Sequence, residues 1–174
     1  MEQALGYIVR VPNANDFTTT FQGKPFNGEF KRKVRRANGG NSDPSDPAAR
    51  YYNLIGNPYP SALNVDKFLQ FNAAPNPIHP DSNNNVQGEV IQGFIKVWTH
   101  GTAISADNDS PYYDDFGSNY SQDDYITYNL SGSVPPVAPE TFSGNIASGQ
   151  GFMVQAKRGG KNVVFNNAMR FDDD

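Results

Sequence analysis

Residues 52–61 read Tyr52-Asn53-Leu54-Ile55-Gly56-Asn57-Pro58-Tyr59-Pro60-Ser61, and the fold turns on how this stretch is read. A β-prone apolar run stops at Gly-Asn-Pro, and Pro-Ser opens a new element. Two prolines around one residue fix φ twice and restrict the residue before each. The pattern predicts a strand over 51–55 in a central position, then a rigid, buried turn at 57–60 that brings Tyr59 onto the core. A short helix over 62–69 follows, with Ser61 as its cap and Leu63, Val65, Phe68 and Leu69 at roughly helical spacing.

The rest of the chain is short β-rich runs separated by Gly, Pro, Asn and Asp. Tyr7-Ile8-Val9-Arg10-Val11 is stopped by Pro12, and Phe17-Thr18-Thr19-Thr20-Phe21 follows an Asn/Asp turn. Further strands are expected over 29–36, 93–99 and 125–130. Residues 151–156 and 162–165 flank Lys157-Arg158-Gly159-Gly160-Lys161, a hairpin signal. Residues 38–50, 72–87 and 106–124 read as long loops, and 131–139 as a Gly/Pro connector. About eight or nine short strands, one short helix and no fixed repeat predict an all-β fold. The expected architecture is an antiparallel β-sandwich, jelly-roll-like, forming one module over 1–174; a barrel is the alternative.

Composition narrows the function classes. The 174 residues suffice for one domain with a real core, and the aromatic share of 13% is high against 18% charged residues. A net charge of -4 gives no reason to expect nucleic acid. With no cysteine, disulfides and thiolate metal sites are excluded. No apolar run approaches the roughly 20 residues that span a bilayer. Met1-Glu2-Gln3 leads at once into strand-like sequence, and the end at Phe171-Asp172-Asp173-Asp174 is equally abrupt. Both fit a module cut from a longer exported protein.

The 52–61 stretch also resembles the "NLIGNPYPS" block of β-rich modules near the C-termini of Bacteroidota cell-surface proteins exported by type IX secretion. Gly6-Tyr7-Ile8-Val9-Arg10 is similar to that module's opening strand, and Phe21-Gln22-Gly23-Lys24-Pro25-Phe26-Asn27-Gly28 to its glycine turn. Val97-Trp98-Thr99-His100, Ile146-Ala147-Ser148-Gly149-Gln150-Gly151-Phe152-Met153-Val154 and Phe165-Asn166-Asn167-Ala168-Met169-Arg170 match later blocks in order. The chain departs from the pattern in its loops and in the basic run at 31–36. The resemblance implies an extracellular or cell-surface address and a sorting domain downstream. It brings no catalytic residues.

Candidate chemistry concentrates in the 106–124 loop. Asp107, Asp109, Asp114 and Asp115, with Asp123 and Asp124, offer the hard oxygen ligands that Ca²⁺ takes. Asp107-Asn108-Asp109-Ser110 alternates like a calcium loop but lacks the Gly and distal Glu of an EF-hand. The competing reading is a solvated acidic loop. Tyr112, Tyr113 and Tyr120, with Trp98, Phe116 and Tyr125, straddle the same loop and suit stacking on a sugar ring flanked by hydrogen bonds. For Trp98 the simplest expectation is a core position in a strand.

Other constellations are weaker. His79 and His100 have no zinc spacing. Ser148-Gly149-Gln150-Gly151 lacks the paired glycines of a nucleophile elbow and reads as a turn or bulge. Lys31-Arg32-Lys33-Val34-Arg35-Arg36 suits polyanions, or a solvated edge strand with Lys31, Lys33 and Arg35 on one face. The sequence therefore predicts a non-catalytic module for adhesion, display or spacing, with a glycan or surface protein as partner and Ca²⁺ as candidate ion. The alternative is a carbohydrate-binding module of a secreted polysaccharide-degrading enzyme; a small hydrolase comes third.

Overall fold

A computed structural model describes residues 2–8, 18, 20, 22–36, 52–73, 90–99, 124–134, 142–157 and 161–171. The described strands are β1 (Phe30–Lys33), β2 (Tyr52–Gly56), β3 (Leu63–Asn64), β4 (Ile91–Trp98), β5 (Tyr125–Asn129), β6 (Gly132–Val134), β7 (Asn145–Ile146), β8 (Gly151–Ala156) and β9 (Asn162–Phe165). The helix α1 spans Val65–Asn72, and a 3-10 turn spans Asn167–Met169. Every strand pair is antiparallel, as the sequence predicts for an all-β fold with one short helix.

The main sheet has the order β2-β8-β4-β5-β6. Side chains alternate across it. Ile55, Phe152, Val154, Ile95, Val97 and Ile126 point to one face and are each at most 3% exposed. The second layer covers that face. It consists of α1, the β1–β9 ladder and the β3–β7 ladder. The Phe68 ring of α1 meets Phe152 of the main sheet at 5.4 Å, edge on, and Phe165 of β9 at 5.2 Å. Losing any of these rings would cost about 3–5 kcal/mol.

Asparagine amides join the pieces where strands do not. The buried Asn72 at the end of α1 donates Nδ2–H to the Val164 carbonyl at 2.9 Å and accepts the Val164 N–H at 2.8 Å. Asn53 holds the Arg35 backbone in the same two-pronged way, at 2.9 Å each. Asn57 donates to the Ser61, Ile146 and Ala147 carbonyls and accepts the Tyr59 N–H. An amide carries a donor and an acceptor side by side, so one side chain can substitute for a strand neighbour.

The turn at 57–60 buries Tyr59 to 1% exposure, as expected. Its hydroxyl donates to the Gly28 carbonyl at 2.8 Å, its ring stacks on Phe26, and the Arg170 guanidinium lies 5.8 Å from the ring centroid. The basic run also alternates as expected: Lys31, Lys33 and Arg35 are exposed, while Val34 is fully buried. Lys31 pairs with Glu29 and Arg32 with Glu2.

Several expectations are corrected. The helix starts at Val65, because Leu63 and Asn64 are taken by β3; the cap is Asn64, whose Oδ1 accepts the Lys67 N–H at 2.9 Å. β8 and β9 are not a hairpin, since β8 lies in the main sheet and β9 pairs with β1 in the other layer. β2 is an edge strand of the main sheet, not a central one; among the described residues its outer side is met by the segment Ala4-Leu5-Gly6, through an isolated bridge between Leu5 and Ile55 and backbone hydrogen bonds from Gly6 to Leu54 and from Gly56 to Ala4. Part of the connector at 131–139 is β6, which folds back on β5 through a Leu130-Ser131 turn. Tyr7 and Ile8 belong to no strand, and residues 9–11 lie outside the described residues.

Candidate functional site

The main sheet's other face, turned away from α1, carries half-buried Leu54, Met153, Lys96, Trp98, Tyr125 and Thr127. Register brings them together. Lys96 pairs across from Met153 and Thr127, and Trp98 across from Tyr125. Continuing that register places Gly151 across from Trp98, so a backbone position without a side chain adjoins the indole.

A cleft of about 300 Å³ opens at this point. Tyr7, Ile8, Lys96, Trp98, Tyr125 and Gln150 line it, with Leu54, Gly151, Phe152 and Met153 completing the wall. Its size is at the lower end for small-molecule sites. The glycine matters here. A Cβ built on Gly151 would come within 3.4 Å of Leu54 Cδ1 and take up space in the cleft.

The N-terminal segment supplies one wall. Gly6 donates its N–H to the Leu54 carbonyl, and Gly56 donates to the Ala4 carbonyl, at 3.1 Å each. A Cβ on Gly6 would collide with Leu54 Cγ, so only glycine lets the segment lie this close to β2. Tyr7 and Ile8 are then held over the sheet while 46% and 51% exposed. The Tyr7 hydroxyl accepts the Glu2 N–H at 2.7 Å.

Trp98 is therefore not a core residue. Val97 and Ile95 take the core face of β4, and alternation sends Trp98 to the cleft. Of the other expected ligand-contact residues, Tyr112, Tyr113 and Tyr120 lie outside the described residues, as do Asp107, Asp109, Asp114 and Asp115 of the expected metal site. His79 and His100 lie outside them too. Of the six loop aspartates, Asp124 is described. It is 4% exposed, its carbonyl accepts both the N–H and the hydroxyl of Thr99, and its Oδ2 has no hydrogen-bond partner. Among the described residues no three His, Cys, Asp or Glu side chains converge on a metal position.

Ser148 and Tyr59 are scaffold. The Ser148 hydroxyl donates to the Tyr59 carbonyl at 3.0 Å, and Gly149 has φ of 76°, a turn conformation suited to glycine. The Tyr59 hydroxyl is pushed up to about 12 by burial, with Arg170 opposing the shift and Glu29 adding to it.

Tyr7, Lys96, Gln150 and Met153 were not evident as site residues from sequence. The signal was the alternation of β4 and β8, which puts Lys96, Trp98, Gly151 and Met153 on one face once their pairing is known.

Fold and cleft define the class: a two-layered all-β domain with an aromatic cleft on the face of its main sheet turned away from α1. The chain belongs to the DUF8693 family, a domain of unknown function, whose match covers residues 1–174. No curated protein and no solved structure matches it. No helix among the described residues is long and apolar enough to cross a membrane.

Proposed function

We propose that the domain is a non-catalytic module of an exported bacterial surface protein, serving adhesion or display ahead of a sorting domain. On this reading the cleft beside Trp98 is its contact point, and a glycan is the partner. The cleft carries the proposal: a tryptophan and two tyrosines around an amide and an ammonium offer apolar faces for a sugar ring and polar groups for its hydroxyls. The resemblance to type IX-exported modules supports the extracellular address. A carbohydrate-binding module attached to a polysaccharide-degrading enzyme is the second reading, and the same cleft favours it.

Calcium belongs to the proposal as a stabiliser of the loop carrying Asp107, Asp109, Asp114 and Asp115. The buried, unpartnered Oδ2 of Asp124 supports a cation there, because a desolvated carboxylate oxygen without a donor is costly. A glycan array probed with wild type and Trp98→Ala, each with and without calcium, tests the whole reading. Binding by the wild type that Trp98→Ala abolishes, with melting temperature preserved, is the expected result. Equal binding by both proteins would remove the cleft from the account.

A further inference from the structure

Residues 2–8 touch both layers of the domain and are held lightly at each. On the main sheet, Gly6 donates its N–H to the Leu54 carbonyl and Gly56 donates to the Ala4 carbonyl, on either side of the Leu5–Ile55 bridge. On the second layer, the Glu2 carboxylate accepts from the Arg32 guanidinium of β1 at 2.8 Å, with 69% of the Glu2 side chain exposed. Ala4 is the segment's one buried residue, and Tyr7 and Ile8 line the cleft while still facing solvent. An open ion pair contributes little, and an apolar side chain left partly in water contributes less than a buried one.

Two internal bonds make the segment a unit. The Glu2 N–H reaches the Tyr7 hydroxyl at 2.7 Å, and the Leu5 N–H reaches the Glu2 carbonyl at 3.3 Å. Glu2 at the ion pair and Tyr7 at the cleft therefore move together. The docked form is also strained. Ala4 has a φ of 54°, and among the described residues every other left-handed position is a glycine. A Cβ at that φ crowds the following carbonyl, and a released chain would relax to an ordinary φ. Strain of this kind gathers at elements that have two states.

We infer that residues 2–8 are a strap that opens and closes over the cleft as one piece, with Glu2–Arg32 as its latch and Ala4 as the strained point that favours release. Closed, it supplies the Tyr7–Ile8 wall. Open, it frees the outer edge of β2 and bares the Trp98 side of the cleft. This goes beyond the glycan reading and holds whatever the cleft binds.

The test is amide hydrogen exchange, followed by NMR on the full chain. The Gly6 and Gly56 N–H groups are bonded only while the strap is docked, whereas alternation turns the Ile55 N–H into the β8 ladder. With intrinsic rates divided out, Gly6 and Gly56 are expected to exchange at one common rate, at least about tenfold faster than Ile55. Glu2→Gln alters an exposed side chain and should speed both by about two- to fivefold, the worth of an open ion pair, without moving Ile55. Gly6→Ala, whose Cβ would strike Leu54 Cγ, imitates the open form, so acrylamide should quench Trp98 more readily there than in wild type. Gly6 and Gly56 as protected as Ile55, or exchanging at different rates, would overturn the inference. So would rates that Glu2→Gln leaves unchanged, or equal quenching of Trp98 in wild type and Gly6→Ala.

Discussion

Asn72 and Val164 are joined at both ends of one side-chain amide, by hydrogen bonds of 2.9 and 2.8 Å, in the fully buried space between α1 and β9. Val164 already has β1 on one side, opposite Lys31. The Asn72 amide supplies what a strand would supply on the other. Its backbone also accepts the Val90 N–H at 2.9 Å, and Val90 leads into β4 of the main sheet. One residue therefore links the helix, the outer layer and the main sheet.

Asn72→Leu keeps the volume of the side chain and leaves the Val164 N–H and C=O without partners. Unsatisfied buried groups cost about 1–3 kcal/mol each, so the loss should be on the order of 2–4 kcal/mol. Urea unfolding measures it. A leucine variant as stable as wild type would mean that packing, not the paired hydrogen bonds, holds this junction.

Tyr59 makes stability depend on alkaline pH. Its folded pKa is raised to about 12, mainly by burial, while the unfolded phenol titrates near 10. The neutral form is favoured in the fold. This contribution is complete below about pH 10 and is lost as pH rises towards 12, because the unfolded state releases the proton first. Tyr59→Phe removes the titration and the bond to Gly28, so it should be less stable at neutral pH yet lose stability more slowly over this window. Parallel curves for the two proteins from pH 9 to 12 would contradict the assignment.

Gly6→Ala should displace the N-terminal segment from β2, because its Cβ would strike Leu54 Cγ and approach the Leu54 carbonyl carbon to 3.1 Å. Tyr7 and Ile8 would leave the cleft with it. Weaker ligand binding with a small fall in melting temperature is the expected outcome. Gly23→Ala is the control, since a Cβ there meets nothing within 4 Å. Equal binding by both variants would show that the segment is dispensable.

Much of the main sheet was legible, because β2, β4, β5 and β8 are β-rich runs bounded by Gly, Pro or Asn. The order of those strands was not. The Gly159-Gly160 pair looks like a hairpin turn locally, but Val163, Val164 and Phe165 are all buried, and β9 pairs with β1 in the second layer. β3 and β7 have two residues each and are fixed by pairing over a long sequence separation, as Leu63 with Ile146. No local pattern marks them. The helix shift has the same origin: Leu63 was counted as helical by its spacing, but the ladder to Ile146 claims it. The cleft was half legible. Trp98 and Tyr125 stood out as aromatics, whereas Tyr7, Lys96 and Gln150 meet only after the chain has crossed between layers.

Trp98 is the single tryptophan of the chain and lines the cleft, so its fluorescence reports on that site alone. The most direct test of the cleft as the binding site is a titration of wild type and Gly151→Ala with the glycan the domain binds, following tryptophan emission. The added methyl makes van der Waals contact with Leu54 without colliding, so the variant should fold and melt like wild type. The account predicts a saturable change in emission for wild type and at least about tenfold weaker binding for Gly151→Ala. Binding that leaves the emission of Trp98 unchanged, or equal affinity in the two proteins, would contradict it.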